Sequence, residues 1–236
     1  MQSESDRKSE EMSRKILMIE TSTDCCSAAL AIDGKIISSR VNDAPKVHAS
    51  MLAPYVDEIL KKAGCRMSDC DAVAVSEGPG SYTGLRVGVS TAKGLCFGAG
   101  VPLIGVDTLS ILAHQAEGKY DFIVPMIDAR RMEVYCAVFD GNAVKVSETE
   151  AKILDSNSFS ELLDQGTVLF IGDGVDKFRE VCKHSGAHFQ SCRPLAEAMT
   201  VPATEALAKK EFKDVAYFEP FYLKEFVAGI SKKSVL

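Results

Sequence analysis

The segment Met18-Ile19-Glu20-Thr21-Ser22 returns 108 residues later as Met126-Ile127-Asp128-Ala129-Arg130. Each copy is a hydrophobic run ending in an acid. Each leads into a second run closed by Asp-Gly, and Asp33-Gly34 and Asp140-Gly141 are 107 residues apart. A repeat of that period is too long for a solenoid and implies two lobes on one plan. Around the first copy, Ile16–Thr21 predicts a strand, and Ser27–Ile32 with Lys35–Arg40 a hairpin about Asp33-Gly34. His48–Ala63 predicts a helix with Met51, Leu52, Tyr55, Val56, Ile59 and Leu60 on a wide apolar face, stopped by Gly64. Ala72–Ser76, Thr83–Phe97, Leu103–Val106 and Leu109–Ala116 then alternate strand and helix. After the second copy come a short helix (Phe159–Leu163), a strand (Val168–Ile171), Gly172-Asp173-Gly174 and a helix near Asp176–His184. The expected fold class is α/β, with two tandem lobes of β-β-β-α-β-α type and the second reduced. No Ser/Pro-rich linker separates them, so the lobes are placed at 15–118 and 119–236. The polar stretch 1–14 reads as a disordered leader, with Met12 as an alternative start.

The run Ser76-Glu77-Gly78-Pro79-Gly80-Ser81-Tyr82-Thr83-Gly84 carries a buried-looking strand through a Gly-Pro-Gly turn into a helix. Gly78 and Gly80 allow positive φ or a close approach, and Pro79 fixes one dihedral between them. Gly84, Gly88 and Ala92 fall at i, i+4 and i+8, a face without bulk where a second backbone can come close. Arg86, Ser90 and Lys93 line a polar, positive face. Such a turn serves either as an anion or partner site at open N–H groups or as tight strand-to-helix packing. No Gly-Lys-Ser/Thr ends it, so it is not a Walker loop.

The formal charge of -6 and pI near 5.3 argue against a chain that grips nucleic acid alone. If a polynucleotide is the substrate, a partner supplies the basic surface. No apolar run reaches membrane-span length and no signal peptide is evident, so the expected location is the cytoplasm. The eight cysteines include no Cys-x-x-Cys and mostly lie in apolar runs, as reduced, buried thiols do. His48, His114, His184 and His188 form no His-Glu-x-x-His pattern, and no metal site is expected. His48 stands at a helix start, and His184 and His188 read as a solvated helix terminus.

The two-lobe order resembles the actin/Hsp70/sugar-kinase-like superfamily. In that plan Glu20, Thr21, Ser22 and Thr23 occupy the first phosphate-holding hairpin. The second hairpin, Asp128-Ala129-Arg130-Arg131, lacks glycine, which argues against strong ATP binding by the isolated chain. Ile16–Thr23, Ser76–Leu95, Pro102–Val106 and Pro220-Phe221-Tyr222-Leu223-Lys224 further resemble the TsaB family, formerly grouped with glycoproteases. The resemblance spans about residues 15–225. It implies a subunit that binds and supports TsaD, the enzyme that forms N6-threonylcarbamoyladenosine at position 37 of ANN-decoding tRNAs, together with TsaE. It also implies homodimers when the chain is alone and contact with tRNA only through the complex. TsaD holds metal with a His-x-x-x-His pair after Gly-Val-Asn, and the matching positions here are Thr108 and Leu112. Thus no catalytic residue is assigned and no cofactor is required by the isolated chain, with a nucleotide possible at a partner junction. The expected docking residues are Leu52, Tyr55, Val56 and Ile59 with Tyr82, Arg86, Val89 and Lys93. The alternatives are a small ATP-dependent phosphotransferase resting on Glu20 and Asp128, and a peptidase, which no residue set supports.

Overall fold

A computed structural model describes residues 13–44 and 48–224. Most of the expected leader, together with Lys232 and Lys233, lies outside the described residues. The first sheet has the order β3-β2-β1-β4-β5. Its strands are β1 (Lys15–Glu20), β2 (Cys26–Ile32), β3 (Lys35–Asn42), β4 (Ala72–Gly78) and β5 (Leu103–Asp107). β1 pairs antiparallel with β2 and parallel with β4, and β4 is parallel to β5. Asp33 and Gly34 close the β2–β3 hairpin at φ +50° and +73°, the left-handed pair that a two-residue hairpin turn demands.

β1 and β4 are near-continuous apolar runs because both faces of this sheet are covered. On one face Leu17, Ile19, Leu30, Val73 and Val75 meet α1 (His48–Lys62) and α2 (Tyr82–Ala99). On the other, Ile16, Met18, Ala29, Ala72, Ala74 and Ile104 meet Ile111 of α3 (Thr108–Ala113), and also Ala196, Met199 and Ala203. Ala196–Met199 is a 3-10 turn, and Ala203 lies in the late helix Thr200–Lys209. Within the stretch expected as the second lobe, 119–236, residues Ala196–Lys209 thus pack on the first sheet. The apolar runs of β1 and β4 need cover on both sides, and the late helix supplies part of it at the back of the first sheet.

The second sheet repeats the first. Its order is β11-β10-β6-β7-β9, from β6 (Phe122–Asp128), β7 (Glu133–Cys136), β9 (Glu150–Ile153), β10 (Val168–Ile171) and β11 (Ala187–Gln190), with the two-residue β8 (Phe139–Asp140) beside β6. β6 takes the place of β1, antiparallel to β7 and parallel to β10. One face is covered by α4 (Ser160–Leu163) and α5 (Val175–Val181), with Phe159, Phe170, Phe178 and Phe189 in mutual ring contact. The other face meets Leu109 and Leu112, so α3 lies between the two sheets. The helix from Thr200 to Lys209 is α6. His184 follows α5, while His188 lies in β11 against Tyr120, so the two histidines do not share a helix terminus. Cys25, Cys26, Cys70, Cys96, Cys136 and Cys182 are buried free thiols. Among the described residues no helix is long and apolar enough to cross a membrane.

Candidate functional site at the interlobe cleft

The lobes face each other across a cleft of about 690 Å³ lined by the β1–β2 turn (Ser22–Asp24), the signature turn (Pro79–Thr83), the β6–β7 turn (Ile127–Arg130), Tyr135, Asp173 and Phe221–Lys224. The glycines of the signature run explain how its walls come together. A Cβ at Gly84 would meet the backbone oxygen of Thr21, at Gly88 the Thr21 hydroxyl, and at Gly80 the backbone oxygen of Ser22. The backbone admitted by the small face of α2 is thus the β1–β2 turn of the same chain. Ser81 donates its N–H to Ser22 O at 2.6 Å, and the Thr21 hydroxyl donates to Gly84 O at 2.8 Å. Ser81 caps α2 by accepting from Gly84 N. The peptide bond Gly78–Pro79 is cis.

Gly84→Ala tests this contact through the sign of its effect. In a helix interior Ala ordinarily gains up to about 1 kcal/mol over Gly. Here the added methyl collides with backbone, and overpacking of this kind costs about 1–3 kcal/mol. Thermal melting should show a lower midpoint than wild type, and a higher one would refute the packing.

The turn Glu20–Thr23 uses its own polar groups internally. Glu20 is fully buried, and its Oε1 accepts from Ser22 N at 2.5 Å. Thr21 N donates to Ser76 Oγ at 3.4 Å. Burial pushes the Glu20 carboxyl up to about 7, and its Oε2 has no partner. His48 Nε2 lies 2.9 Å from Thr23 O and 3.2 Å from Cys25 O, pinning the outer part of the turn.

Across the cleft, Arg130 and Arg131 both hold positive φ, +73° and +50°. Asp128 Oδ1 accepts from Arg130 N at 2.5 Å and pairs with Lys177 at 2.9 Å. Asp128 N donates to Asp173 at 2.9 Å, and burial raises the Asp173 carboxyl.

Of the expected docking residues, five are buried and three, Tyr82, Arg86 and Lys93, reach the surface. Leu52, Tyr55, Val56, Ile59 and Val89 are at most 8% exposed and pack into the core over the first sheet. The wide apolar face of α1 is wide because it covers a sheet and α2 together. Arg86 stacks on Tyr82 and donates to the Tyr222 hydroxyl at 3.2 Å, while Lys93 donates to Ala216 O and Phe218 O. These polar positions are engaged by the end of the chain. The large apolar side chain that α2 leaves outside is Phe97, 86% exposed, with Gly94 and Gly98 open beside it. The signal was legible in the sequence as one aromatic residue among small residues on the face opposite Gly84, Gly88 and Ala92.

Thr108 and Leu112 are fully buried in α3, and Leu112 presses its methyl toward Gly172. A threonine hydroxyl and a leucine offer no ligand pair, so these residues do not fit a metal. Among the described residues no group of three His, Cys, Asp or Glu is arranged to hold one.

The profile of the family described as TsaD, tRNA N6-adenosine threonylcarbamoyltransferase, matches residues 40–232. The chain is 34% identical over 223 residues to the tRNA threonylcarbamoyladenosine biosynthesis protein TsaB of Escherichia coli K12, which covers 91% of this chain and 96% of that one. Its shape is similar to the solved structure of YeaZ from Pseudomonas aeruginosa, with a TM-score of 0.78 and 29% identity over 89% of this chain and 100% of that one. Component A of (R)-2-hydroxyglutaryl-CoA dehydratase from Acidaminococcus fermentans shares the fold at a TM-score of 0.50 and 13% identity, over 84% and 99% of the two chains. The actin-like two-lobed α/β plan expected from the repeat is the plan observed.

Proposed function

The chain belongs to the TsaB family of tRNA threonylcarbamoyladenosine biosynthesis proteins, and we propose that within that pathway it is a non-catalytic subunit that binds and supports TsaD. The observation that carries this reading is the content of α3. Where a TsaD-type catalyst would present two imidazoles, this chain has Thr108 and Leu112 packed inside apolar core. In this reading the chain works with TsaD and TsaE, meets tRNA only through them, and pairs with itself when they are absent. It requires no cofactor of its own, although a nucleotide at the junction with a partner is compatible with it.

The docking face is relocated to the outer side of α2, centred on Phe97. An 86% exposed phenylalanine flanked by open glycines offers an anchor and room for another helix. Phe97→Glu should weaken association with TsaD roughly thirtyfold, as loss of a hot spot worth about 2 kcal/mol does. Titration calorimetry with purified TsaD reads this directly. Wild-type affinity for that variant would remove the face from consideration, and separate elution of the wild-type proteins at micromolar concentration would remove the reading itself.

A phosphotransferase would need backbone N–H groups to hold phosphate, and the turn spends those of Thr21 and Ser22 on Ser76 and Glu20. Tight binding of Mg-ATP by the isolated chain in the same calorimeter would favour that alternative.

A further inference from the structure

From Lys213 onward the chain runs back across the first lobe in two stretches of different character. Lys213–Phe218 is anchored. Lys213 N donates to Leu103 O at 2.8 Å, its ammonium meets Glu77 at 2.7 Å, and Val215 and Phe218 pack against the core under α1 and α2. Lys93 clamps the stretch from outside through Ala216 O and Phe218 O, at 3.1 and 3.0 Å. From Glu219 to Lys224 every residue is half-buried or exposed, and no apolar side chain there joins the core cluster that Val215 and Phe218 pack against.

The second stretch, Phe221–Lys224, lines the cleft and is held at four separate points. Phe221 N donates to Glu77 O at 2.7 Å. The Tyr222 ring lies 4.9 Å from that of Tyr82, and its hydroxyl accepts from Arg86 at 3.2 Å. Lys224 then crosses to the second lobe and meets Glu133 at 2.5 Å. Gly78 is part of the same fit, since a Cβ there would strike Phe221 O.

We propose that Phe221–Lys224 is a latch that ties the two lobes across the cleft mouth and opens as a unit while Lys213–Phe218 stays in place. Its side-chain contacts are of the exposed, individually weak kind, whereas the anchor adds the half-buried Val215 and Phe218, packed against the core cluster. When the latch is closed, Tyr222 occupies Tyr82 and Arg86 at the start of α2. When it opens, the Tyr222 contacts on those two residues are released as Lys224 leaves the second lobe. The segment therefore makes the opening of the cleft and the release of Tyr222 from the first turn of α2 one event, whichever molecule takes advantage of it.

Residue-resolved hydrogen exchange on the full chain tests this. The Phe221 amide should exchange at least tenfold faster than that of Lys213. Lys224→Glu should speed exchange at Phe221 by about two- to fivefold, the range of a solvent-exposed ion pair, without changing Lys213. The double variant Lys224→Glu with Glu133→Lys should restore the wild-type rate, which a merely structural defect would not. Equal rates at the two amides would show that the whole segment opens as one body and would overturn the proposal. So would a rate at Phe221 that ignores the charge reversal, or a double variant that fails to recover.

Discussion

Val89→Arg should unfold the first lobe rather than loosen a partner. Val89 is 3% exposed and belongs to the cluster that includes Leu17, Ile19, Tyr55 and Ile59. An arginine there would be driven among the apolar side chains of that cluster, and an unpaired buried charge costs several kcal/mol. That is a large part of the 5–15 kcal/mol that holds a typical domain together. At a loss of about 4 kcal/mol the melting midpoint should fall by roughly 8–16 °C, at 2–4 °C per kcal/mol for a chain of this size. Circular dichroism melts of Val89→Arg and Phe97→Glu side by side separate core from surface. Phe97→Glu, with its side chain in solvent, should melt within about 2 °C of wild type. A Val89→Arg variant that melts like wild type would mean that the inner face of α2 is not covered by its own sheet.

Replacing Glu20 by Gln should change how stability depends on pH. The Glu20 carboxyl has an ordinary value of 4.5 and is raised by burial to about 7 in the folded chain. Below pH 4.5 both folded and unfolded forms are protonated and the group contributes nothing. Between 4.5 and 7 the unfolded form ionises while the folded form keeps its proton, so folding becomes progressively less favourable. Above 7 the penalty is complete, at about 3 kcal/mol from the size of that shift. The direction is opposite to that of Asp121, Asp140 and Asp155, whose hydrogen bonds lower their values and favour the folded state above the acid range. Comparing wild type with Glu20→Gln cancels those groups. Urea unfolding at pH 5, 6, 7 and 8 should show the two proteins diverging as pH rises, with the variant gaining. Gln can keep the acceptor used by Ser22 N, so the turn need not rearrange. Parallel curves would mean that Glu20 is not buried as described.

The sequence made the scaffold readable where chemistry is local. The β2–β3 hairpin, α1, α2 and β10 carry strong turn residues or unbroken apolar periodicity, and they fall within a few residues of expectation. The repeat of β1 in β6 extends to the strand order, since each pairs antiparallel with the strand that follows it and parallel with a later one. Local patterns did not reveal β9, β11 or α6. Glu150–Ile153 is an edge strand whose outer side faces water, so its sequence alternates poorly. In α6 only Ala203 is fully buried, which leaves almost no apolar stripe to detect. Periodicity identified the apolar face of α1 but could not say what covers it, and that is why Leu52, Tyr55, Val56 and Ile59 were expected at a docking face and are found in the core. The partners of Phe221–Lys224, which are Glu77, Arg86 and Glu133, are far away in sequence and leave no local trace.

The helix behind the first sheet has a consequence for synthesis. A ribosome completes β5 at Asp107 and reaches Ala196 only 89 residues later. At usual elongation rates that is a delay of roughly 5–20 s. Throughout it, Met18, Ala29, Ala74 and Ile104 lack Met199 and Ala203 as neighbours. A nascent chain stalled or cut within the second lobe would therefore present a sticky, half-dressed first lobe, so premature termination should yield aggregates or chaperone clients rather than a tidy N-terminal fragment.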